Sequence, residues 1–447
     1  ELSALVGVTR PAAVITYADF EPEVCAALGE GPSVRRVLVA DGAPALEYEP
    51  DWEALPGLGR QPDEIALLQH SSGTTGLQKG VALSHRAVLN QVRAYSQAMD
   101  LRPDDIVVSW LPLYHDMGLI AGFVMPLVAG IPLVLMSPFA WVRSPKLLLQ
   151  AASAHRATLT WLPNFAYNHS VRGIRERDLQ GVDLSSLRAV INCSEPVRLD
   201  SQQMFLQKFG PHGLREGALS ACYAMAENTF AVTQTPPGQP PRVDWVLTAA
   251  LQSEKQAVPH RTVSPVEPSG EAGFDAAQPT NGYIPMVSCG FPIPGTEVRI
   301  VDTHRKPLPE RQVGEVALRS DCMLSGYYHR EDATAAAIHA GWYFTGDTGF
   351  VDKDGDLFVT GRVDDMIVTG GENVSPVEIE SCLSLHPAVL EVAVVGLPDE
   401  RWGKIIAAFI KRGEPVEAEE LNQFCQASGL ANFKRPRRFV FVEDVPK

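Results

Sequence analysis

A short segment, residues 71–80, combines hydroxyl side chains, glycines and one lysine in the order Ser-Ser-Gly-Thr-Thr-Gly-Leu-Gln-Lys-Gly. Its neutral hydrogen-bond donors are Ser71, Ser72, Thr74 and Thr75. Gly73 and Gly76 allow the backbone to adopt a positive φ angle and to turn its N–H groups toward a ligand, and Lys79 adds a positive charge. The pattern favours a polyphosphate-binding loop over a surface turn, although a Walker A loop would place the lysine directly after the second glycine.

This loop must be positioned by the elements around it, in which short apolar strands alternate with amphipathic helices. Strands are predicted at residues 36–40, 65–69, 106–111, 157–162 and 187–192. Helices are predicted at residues 85–99, 145–155 and 201–209. The alternation is typical of doubly wound α/β layers, so we predict the α/β fold class.

Two stretches depart from this alternation. Residues 119–136 contain no charged side chain and reach the length of a membrane span, but glycines and prolines divide them. We therefore expect a buried helix, a turn at residues 129–132 and a buried strand at residues 133–136, with no integral membrane contact. Residues 236–279 are rich in Pro, Gly, Ser and Gln, which predicts a long, partly irregular excursion.

The sequence after this excursion predicts a change of architecture. Short strands separated by turn signals are predicted at residues 297–301, 315–319 and 357–360. They indicate a β-rich subdomain over about residues 283–361, which completes a large domain of residues 1–361.

A small α+β domain is predicted to follow at residues 362–447. Its first helix is marked by a capping box, with Ser375 at the N-cap, Pro376 at the first helical position and Glu378 at the third.

The overall composition excludes several classes of function. The 447 residues carry a formal net charge of −15, which argues against nucleic acid as a partner. Seven scattered cysteines without a C-x-x-C pair predict reduced, buried thiols in a cytoplasmic protein. The eleven histidines show no metal-site spacing. Because the chain opens at Glu1 and stops at Lys447, we expect that both ends have been trimmed.

Five motifs, in a fixed order and spacing, carry a resemblance to a known family. They are residues 71–80, 111–118 (LPLYHDMG), 222–229 (CYAMAENT), 341–349 (GWYFTGDTG) and 361–380 (GRVDDMIVTGGENVSPVEIE). From about residue 65 to residue 447 the chain resembles the adenylate-forming superfamily of acyl-CoA synthetases, fatty acyl-AMP ligases and peptide-synthetase adenylation domains.

The resemblance implies a reaction in two steps, with a carboxylic acid as substrate and with ATP and Mg²⁺ as cofactors. The carboxylate attacks the α-phosphate of ATP to give acyl-AMP and pyrophosphate, and a pantetheine thiol then takes the acyl group and releases AMP. Positioning and positive charge are the main demands of the first step, because two anions must meet.

The resemblance also implies roles for individual residues. The implied catalytic residues are Lys79, His115, Glu227 and Arg362. The implied nucleotide-binding residues are Ser71, Ser72, Gly73, Thr74, Thr75, Gly76, Tyr223, Ala224, Asp347 and Arg362. In this scheme Glu227 is the Mg²⁺ ligand, Tyr223 stacks on adenine, and Asp347 accepts hydrogen bonds from the ribose. The structural alternatives are a solvated carboxylate, a core tyrosine and a turn aspartate.

Three further groups of residues are implied for the acid, the hinge and the thiol. The implied acyl pocket comprises His115, Asn164, Phe165, Asn192, Cys193 and Ser194. Asp364 matches the hinge about which the small domain is thought to rotate. The residues implied to line a tunnel for the thiol are Gly370, Gly371 and Glu372.

Some features depart from the family pattern. Gln78 stands where proline is usual, and the family's catalytic lysine would lie a few residues beyond Lys447, so Lys447 is not expected to replace it. N-terminal sequence is also expected to be missing, since the large domain begins later than the family pattern implies. The excursion at residues 243–258 lies roughly where fatty acyl-AMP ligases carry an extra segment thought to restrain the small domain.

The acceptor and the exact class stay open at this point. The large domain is most similar to fatty acyl-AMP ligases, whereas the small domain is more similar to acyl-CoA synthetases, so either CoA or the phosphopantetheine of an acyl carrier protein could receive the acyl group. The alternatives are an amino-acid adenylation domain of a peptide synthetase, a luciferase-like oxygenase, and a catalytically silent nucleotide-binding partner of another ligase.

Overall fold

The computed structural model describes residues 2–28, 36–39, 51–54, 56–70, 79–263, 282–363, 365, 367–369, 372–374, 376–399, 402–428 and 430–445. The α-helices are α1 Leu2–Thr9, α2 Glu21–Leu28, α3 His85–Ala98, α4 Met125–Ala129, α5 Pro138–Arg143, α6 Lys146–His155, α7 Asn164–Gly173, α8 Leu199–Phe209, α9 Thr248–Ser253, α10 Glu331–Ala337, α11 Pro376–Ser384 and α12 Ala418–Ala427. A π-helix, Met117–Val124, leads directly into α4.

The strands, in chain order, are β1 Ala13–Thr16, β2 Arg36–Val39, β3 Ile65–His70, β4 Gly80–Ser84, β5 Val107–Ser109, β6 Leu133–Leu135, β7 Leu159–Leu162, β8 Ala189–Asn192, β9 Leu219–Ala224, β10 Ala231–Gln234, β11 Val243–Leu247, β12 Pro259–Val263, β13 Tyr283–Val287, β14 Phe291–Pro292, β15 Thr296–Val301, β16 Gly314–Ser320, β17 Gly326–Tyr327, β18 Ile338–His339, β19 Trp342–Val351, β20 Leu357–Arg362, β21 Ile367–Thr369, β22 Glu372–Val374, β23 Val389–Asp399, β24 Gly403–Arg412 and β25 Arg438–Val442.

The central sheet has the strand order β14-β10-β9-β8-β7-β5-β6. The neighbouring strands β9, β8, β7, β5 and β6 run parallel to one another. Strands β7 and β8, which have mostly apolar sequences, are buried along their whole length. Helix α3 begins where the Ser84 hydroxyl accepts a hydrogen bond from the backbone N–H of Ala87. The predicted α/β fold class is confirmed.

The apolar stretch at residues 117–136 folds as a helix followed by a strand, as predicted, but the strand is not buried. Strand β6 lies at the edge of the sheet, and Leu135 is 46% exposed. No helix in the described part of the chain is long and apolar enough to cross a membrane.

The predicted excursion, expected to be partly irregular, contains regular elements in its described part. Strands β11 and β12 and helix α9 lie within it, and β11 pairs with both β12 and β13 in a small antiparallel sheet. Residues 264–281 lie outside the described residues. The predicted β-rich region contains a second sheet, of order β15-β16-β19-β18, in which β20 also pairs with β19.

A cluster of charges joins these two sheets. The Nη1 atom of Arg242 lies 3.2, 3.1 and 2.5 Å from carboxylate oxygens of Asp352, Asp354 and Asp356. The Ser288 hydroxyl, next to β13, donates a hydrogen bond of 2.6 Å to Asp356. The excursion is therefore held to the turn between β19 and β20 of the large domain.

Residues 367–445 form a C-terminal unit with its own core. Its apolar cluster draws all of its members from residues 367–441, most of them on β21–β25 and helices α11 and α12. Glu378, expected in a capping box, forms a buried ion pair of 2.9 Å with Lys434, and burial raises the pKa of Glu378 to about 7. Ser375, the expected N-cap, lies outside the described residues.

All seven cysteines are free. Six of them are buried, as expected, but Cys25 in α2 is exposed, so the prediction of buried thiols is wrong for this residue.

Candidate active site

Strand pairing brings Lys79 next to a tyrosine that sequence reasoning did not select. Lys79 is exposed and directly precedes β4, which pairs with β3 on one side and with β17 on the other. Strand β17 places Tyr327 so that the Lys79 Nζ atom lies 5.0 Å from the centre of its ring. Residues 71–78 lie outside the described residues.

Tyr327 also holds Glu227. Its hydroxyl donates a hydrogen bond of 2.8 Å to Oε1 of Glu227 and lies 3.1 Å from the hydroxyl of Tyr343. Burial raises the pKa of Glu227, while the hydrogen bond from Tyr327 opposes that rise. The carboxylate is therefore fixed at the junction of β9, β17 and β19.

The turn that carries Glu227 has a strained backbone. Thr229 adopts φ 65° and ψ −45°, which is unusual for a β-branched residue. Its buried hydroxyl donates to the carbonyl oxygen of Cys322 at 2.7 Å. This bond holds the short turn at residues 226–228 against the rest of the large domain.

A second carboxylate lies between a tyrosine and an arginine. The Tyr223 hydroxyl donates to Oδ2 of Asp347 at 2.5 Å, and Nε of Arg362 lies 3.3 Å from Oδ1. Asp347 and Arg362 face each other in the register of β19 and β20, so Asp347 lies in a strand rather than in a turn. Burial raises the pKa of Asp347, and Tyr223 and Arg362 oppose that rise.

The residues expected around the acid meet at the carboxyl ends of neighbouring parallel strands. Asn164 follows β7, and its Oδ1 accepts a hydrogen bond of 3.0 Å from Asn192 at the end of β8. Ser194, at φ 69°, has its hydroxyl 4.0 Å from the sulfur of Met117, at the start of the π-helix. Ligands of open α/β sheets bind at such an edge.

His115, which the sequence predicts near this sheet edge, is paired with a carboxylate. Its Nδ1 lies 2.7 Å from Oδ1 of Asp116, and this contact raises the pKa of His115. The side chain of His115 is 41% exposed, whereas that of Asp116 is 8% exposed. The negative charge of Asp116 also contributes to the raised pKa of Glu227, so the two groups of predicted residues interact electrostatically.

Aromatic side chains lie beside the expected acid pocket. The rings of Trp110 and Trp141 stack with 3.7 Å between their centres, and Phe165 meets both of them edge-on. Cys193 is buried directly after β8, and Asn192 faces Ala221 in the register of β8 and β9. Since Tyr223 belongs to β9, the two groups of predicted residues occupy adjacent strand ends.

Some predicted positions cannot be placed. Asp364, Gly370 and Gly371 lie outside the described residues, and Glu372 is described only through its backbone in β22. Ala224 ends β9 and is half-buried.

Three side chains of this site were missed by sequence reasoning: Asp116, Tyr327 and Tyr343. Asp116 and Tyr343 lie inside two of the motifs, so their chemistry was readable there. Tyr327 stands in a Gly-Tyr-Tyr sequence outside the motifs, and only the pairing of β17 with β4 reveals its position.

The carboxylates fit a magnesium ion held together with a phosphate ligand. No group of three His, Cys, Asp or Glu side chains in the described ranges could hold a metal ion by itself. Glu227 offers hard oxygen ligands near Asp116. Mg²⁺ is typically bound through one or two carboxylates plus substrate phosphates and water.

A family model described as "AMP-binding enzyme" matches residues 1–328, and one described as "AMP-binding enzyme C-terminal domain" matches residues 378–447. The chain belongs to the family of AMP-binding enzymes.

Curated relatives of the chain include ligases and an adenylyltransferase. The chain is 37% identical over 352 residues to the medium-chain-fatty-acid–[acyl-carrier-protein] ligase JamA of Moorena producens, covering 75% of this chain and 57% of that protein. It is 31% identical to a 4-hydroxyphenylalkanoate adenylyltransferase of Mycobacterium tuberculosis, covering 91% of this chain and 64% of that protein. The chain thus spans less than two thirds of the length of these relatives.

Solved structures give the same family. A structure from a study of fatty acyl-adenylate ligases of E. coli and L. pneumophila has a TM-score of 0.81 and 26% identity, covering 100% of this chain and 77% of that one. The L. pneumophila ligase in complex with acyl adenylate and pyrophosphate has a TM-score of 0.70 and 27% identity, covering 98% and 75%.

Proposed function

We propose that this protein activates a carboxylic acid with ATP and then transfers the acyl group to a pantetheine thiol. A carboxylate oxygen attacks the α-phosphorus, the bond to pyrophosphate breaks, and acyl-AMP forms. The thiol sulfur then attacks the acyl carbon and AMP leaves. The observation that carries this proposal is the arrangement of two tyrosine-bonded carboxylates with Lys79 and Arg362, next to a group of polar residues at the same sheet edge.

The nucleotide would be held by the first group of residues. Asp347 would accept hydrogen bonds from the ribose hydroxyls, and Arg362 would face the ribose and the phosphate. The hydrogen bond between Tyr223 and Asp347 would hold the adenine-stacking ring and the ribose acceptor as one unit. Lys79 would bind the β- and γ-phosphates together with the hydroxyl-rich loop at residues 71–76.

Glu227 would bind a magnesium ion on the ATP phosphates. The ion, when bound, lowers the negative charge that the incoming carboxylate meets. Tyr327 keeps the Glu227 carboxylate in a fixed position, so little reorganisation is needed when the ion arrives.

The acid would lie beside His115, Asn164, Phe165 and residues 192–194. Protonated His115 would attract the carboxylate and guide it toward the α-phosphate. The ligase of M. producens favours a medium-chain fatty acid as substrate and an acyl carrier protein as acceptor. Residues 362–447 would form the mobile domain, with Asp364 as the hinge and residues 370–372 along the path of the thiol.

The test is acid-dependent release of pyrophosphate. We would incubate the protein, in a form that carries the lysine expected beyond Lys447, with Mg-ATP and a panel of fatty, aryl and amino acids. Either CoA or a phosphopantetheinylated carrier protein would be added, and the products would be identified by mass spectrometry. Acyl-AMP with a fatty acid, followed by acyl transfer to the carrier, is the expected result. Release only with amino acids would favour a peptide-synthetase domain, and no release with any acid would contradict the proposal.

A further inference from the structure

Two arginines of the large domain contact the C-terminal unit across a polar seam, which comprises Arg172, Arg198, Glu380, Leu390 and Glu391. Arg172, near the end of α7, donates a hydrogen bond of 2.7 Å from Nη2 to the carbonyl oxygen of Leu390, and its Nη1 lies 3.4 Å from Oε1 of Glu391. Arg198, which precedes α8, donates from Nη2 to the carbonyl oxygen of Glu380 at 3.2 Å.

These contacts meet connected parts of the C-terminal unit. Glu380 belongs to α11, and Leu390 and Glu391 belong to β23. The Glu380 carboxylate accepts a hydrogen bond of 2.8 Å from the backbone N–H of Val394, so α11 and β23 are tied to each other. The two arginines therefore hold one rigid body at two points.

The seam is built to release. Both sides have their own apolar cluster: the cluster that contains α7 and α8 draws its members from residues 67–293, and the C-terminal cluster draws its members from residues 367–441. The side chains of Arg172 and Glu391 are 34% and 29% exposed, so both can be solvated when the contact opens. When the units separate at these contacts, water replaces the hydrogen-bond partners of the two arginines. Neither of the two apolar clusters becomes exposed.

The same elements reach the expected acid pocket. Helix α7 begins at Asn164, whose Oδ1 accepts hydrogen bonds from Asn192 and from the backbone N–H of Arg198, the latter at 3.2 Å. A single residue, Arg198, therefore touches the pocket with its backbone and the C-terminal unit with its side chain.

We propose that Arg172 and Arg198 are positioning residues that latch the C-terminal unit onto α7 and α8 in a reversible way. The latch sets the fraction of molecules that adopt the docked arrangement and ties this arrangement to the acid pocket through Asn164. Its consequence for catalysis rests on the proposed function, whereas its existence does not.

The first experiment needs no substrate. Val363 and Asp365 in the connection between the two parts are exposed, so proteinase K should cut there faster when the C-terminal unit is undocked. We expect Arg172→Glu combined with Arg198→Met to be cut at least threefold faster than the parent. The matched control is Arg177→Glu, an exposed arginine five residues after Arg172 that takes no part in the seam contacts.

Exchange of the charges provides a second check. Arg172→Glu alone places two carboxylates opposite each other, and Glu391→Arg in the same chain restores opposite charges, so the doubly changed protein should be cut at a rate closer to that of the parent. Equal cutting of the parent, the Arg172→Glu/Arg198→Met protein and the control would overturn the latch, as would a failure of the charge exchange to slow cutting.

A kinetic readout separates positioning from simple damage to the fold. Arg198→Met should change the ratio between the rate of acyl-AMP formation and the rate of thioester formation, with the KM for ATP unchanged and with recovery in Arg198→Lys. An unchanged ratio would overturn the positioning role. If the parent forms no acyl-AMP while cutting still depends on the seam, the proposed function fails and the latch stands.

Discussion

The nucleotide side of the site and the polar seam hold their charged groups in opposite ways. In the site, Glu227 and Asp347 are bonded to buried tyrosine hydroxyls, and strands from distant parts of the chain fix each partner. In the seam, Arg172 and Arg198 reach from helix ends toward backbone carbonyls and one half-exposed carboxylate.

This difference follows from the environment of each group. A buried carboxylate that loses its hydrogen bond cannot be rescued by water, so its partner has a large effect. A half-exposed ion pair exchanges its partner for water at little cost. A protein that must keep one arrangement fixed and let another open can use both kinds of contact.

The largest effect is expected at the buried carboxylate that would bind the ribose. Asp347→Ala should lower kcat/KM for acid-dependent pyrophosphate release by roughly 30- to 1,000-fold. This factor corresponds to a loss of about 2–4 kcal/mol in hydrogen bonding to a charged group. Asp104→Ala, at an exposed position, is the control and should act like the parent. Parent-like activity in Asp347→Ala would remove the ribose assignment.

A smaller effect on the rate is expected when a carboxylate stays in place and only its hydrogen-bond donor is removed. Tyr327→Phe takes away the hydrogen bond to Glu227 and should lower kcat about tenfold, in keeping with roughly 1.5 kcal/mol, the lower end of the range for a bond to a charged group. The Mg²⁺ concentration needed for half-maximal rate should rise.

The dependence of activity on pH tests the same hydrogen bond between Tyr327 and Glu227. Because the Tyr327 bond opposes the rise in the pKa of Glu227, its loss raises that pKa further, and activity should disappear at a higher pH on the acid side. Tyr328→Phe, the neighbouring residue, serves as control. An unchanged acid limb in Tyr327→Phe would mean that Glu227 does not act as an ionised ligand.

His115 lies between the buried carboxylates of the site and the partly exposed arginines of the seam, since it is partly exposed but has a buried partner. Asp116 raises the pKa of His115, so Asp116→Asn should lower it. The KM for the acid should then rise at a lower pH than in the parent, because less of the imidazole stays protonated. Profiles of KM against pH for the parent, Asp116→Asn and His115→Gln would show this, and the His115→Gln profile should be flat in that range.

The smallest effect is expected in the seam. Arg172→Ala should change the free energy of unfolding by less than about 1 kcal/mol, because the contact is half-exposed and the C-terminal unit keeps its own core. Urea unfolding of the parent, Arg172→Ala and Arg177→Ala would measure it. A loss of several kcal/mol would show that the seam is part of the folded core, and the contrast with the site would disappear.

Much of the fold could be predicted because it is written in local patterns. The alternation of strands and helices gave the central α/β layers, and β15, β16 and β20 lie where turn signals bounded them. The strands β11 and β12 could not be predicted from their own Pro- and Gly-rich neighbourhood. They are stabilised by the pairing of β11 with both β12 and β13 and by the Arg242 cluster. The exposure of β6 could not be predicted either, since an edge strand and a central strand share the same apolar residues.

The site was predictable only as a set of residue types. The motifs pointed to Glu227 and Asp347, but their tyrosine partners lie 100 and 124 residues away in the chain. Such contacts depend on strand pairing across the whole large domain, and the spacing of residues in the sequence does not predict that pairing. The seam is more hidden still, because arginines at helix ends are common on any surface.

The Arg242 cluster determines which ions in the medium affect the stability of the junction between the two sheets. Three aspartates in an Asp-x-Asp-Gly-Asp turn surround a guanidinium that belongs to the chain itself. The positive centre of this turn is thus always present at full occupancy, whatever ions the medium contains. Chelators should leave the junction between the two sheets intact, whereas the screening of charge by concentrated salt should loosen it.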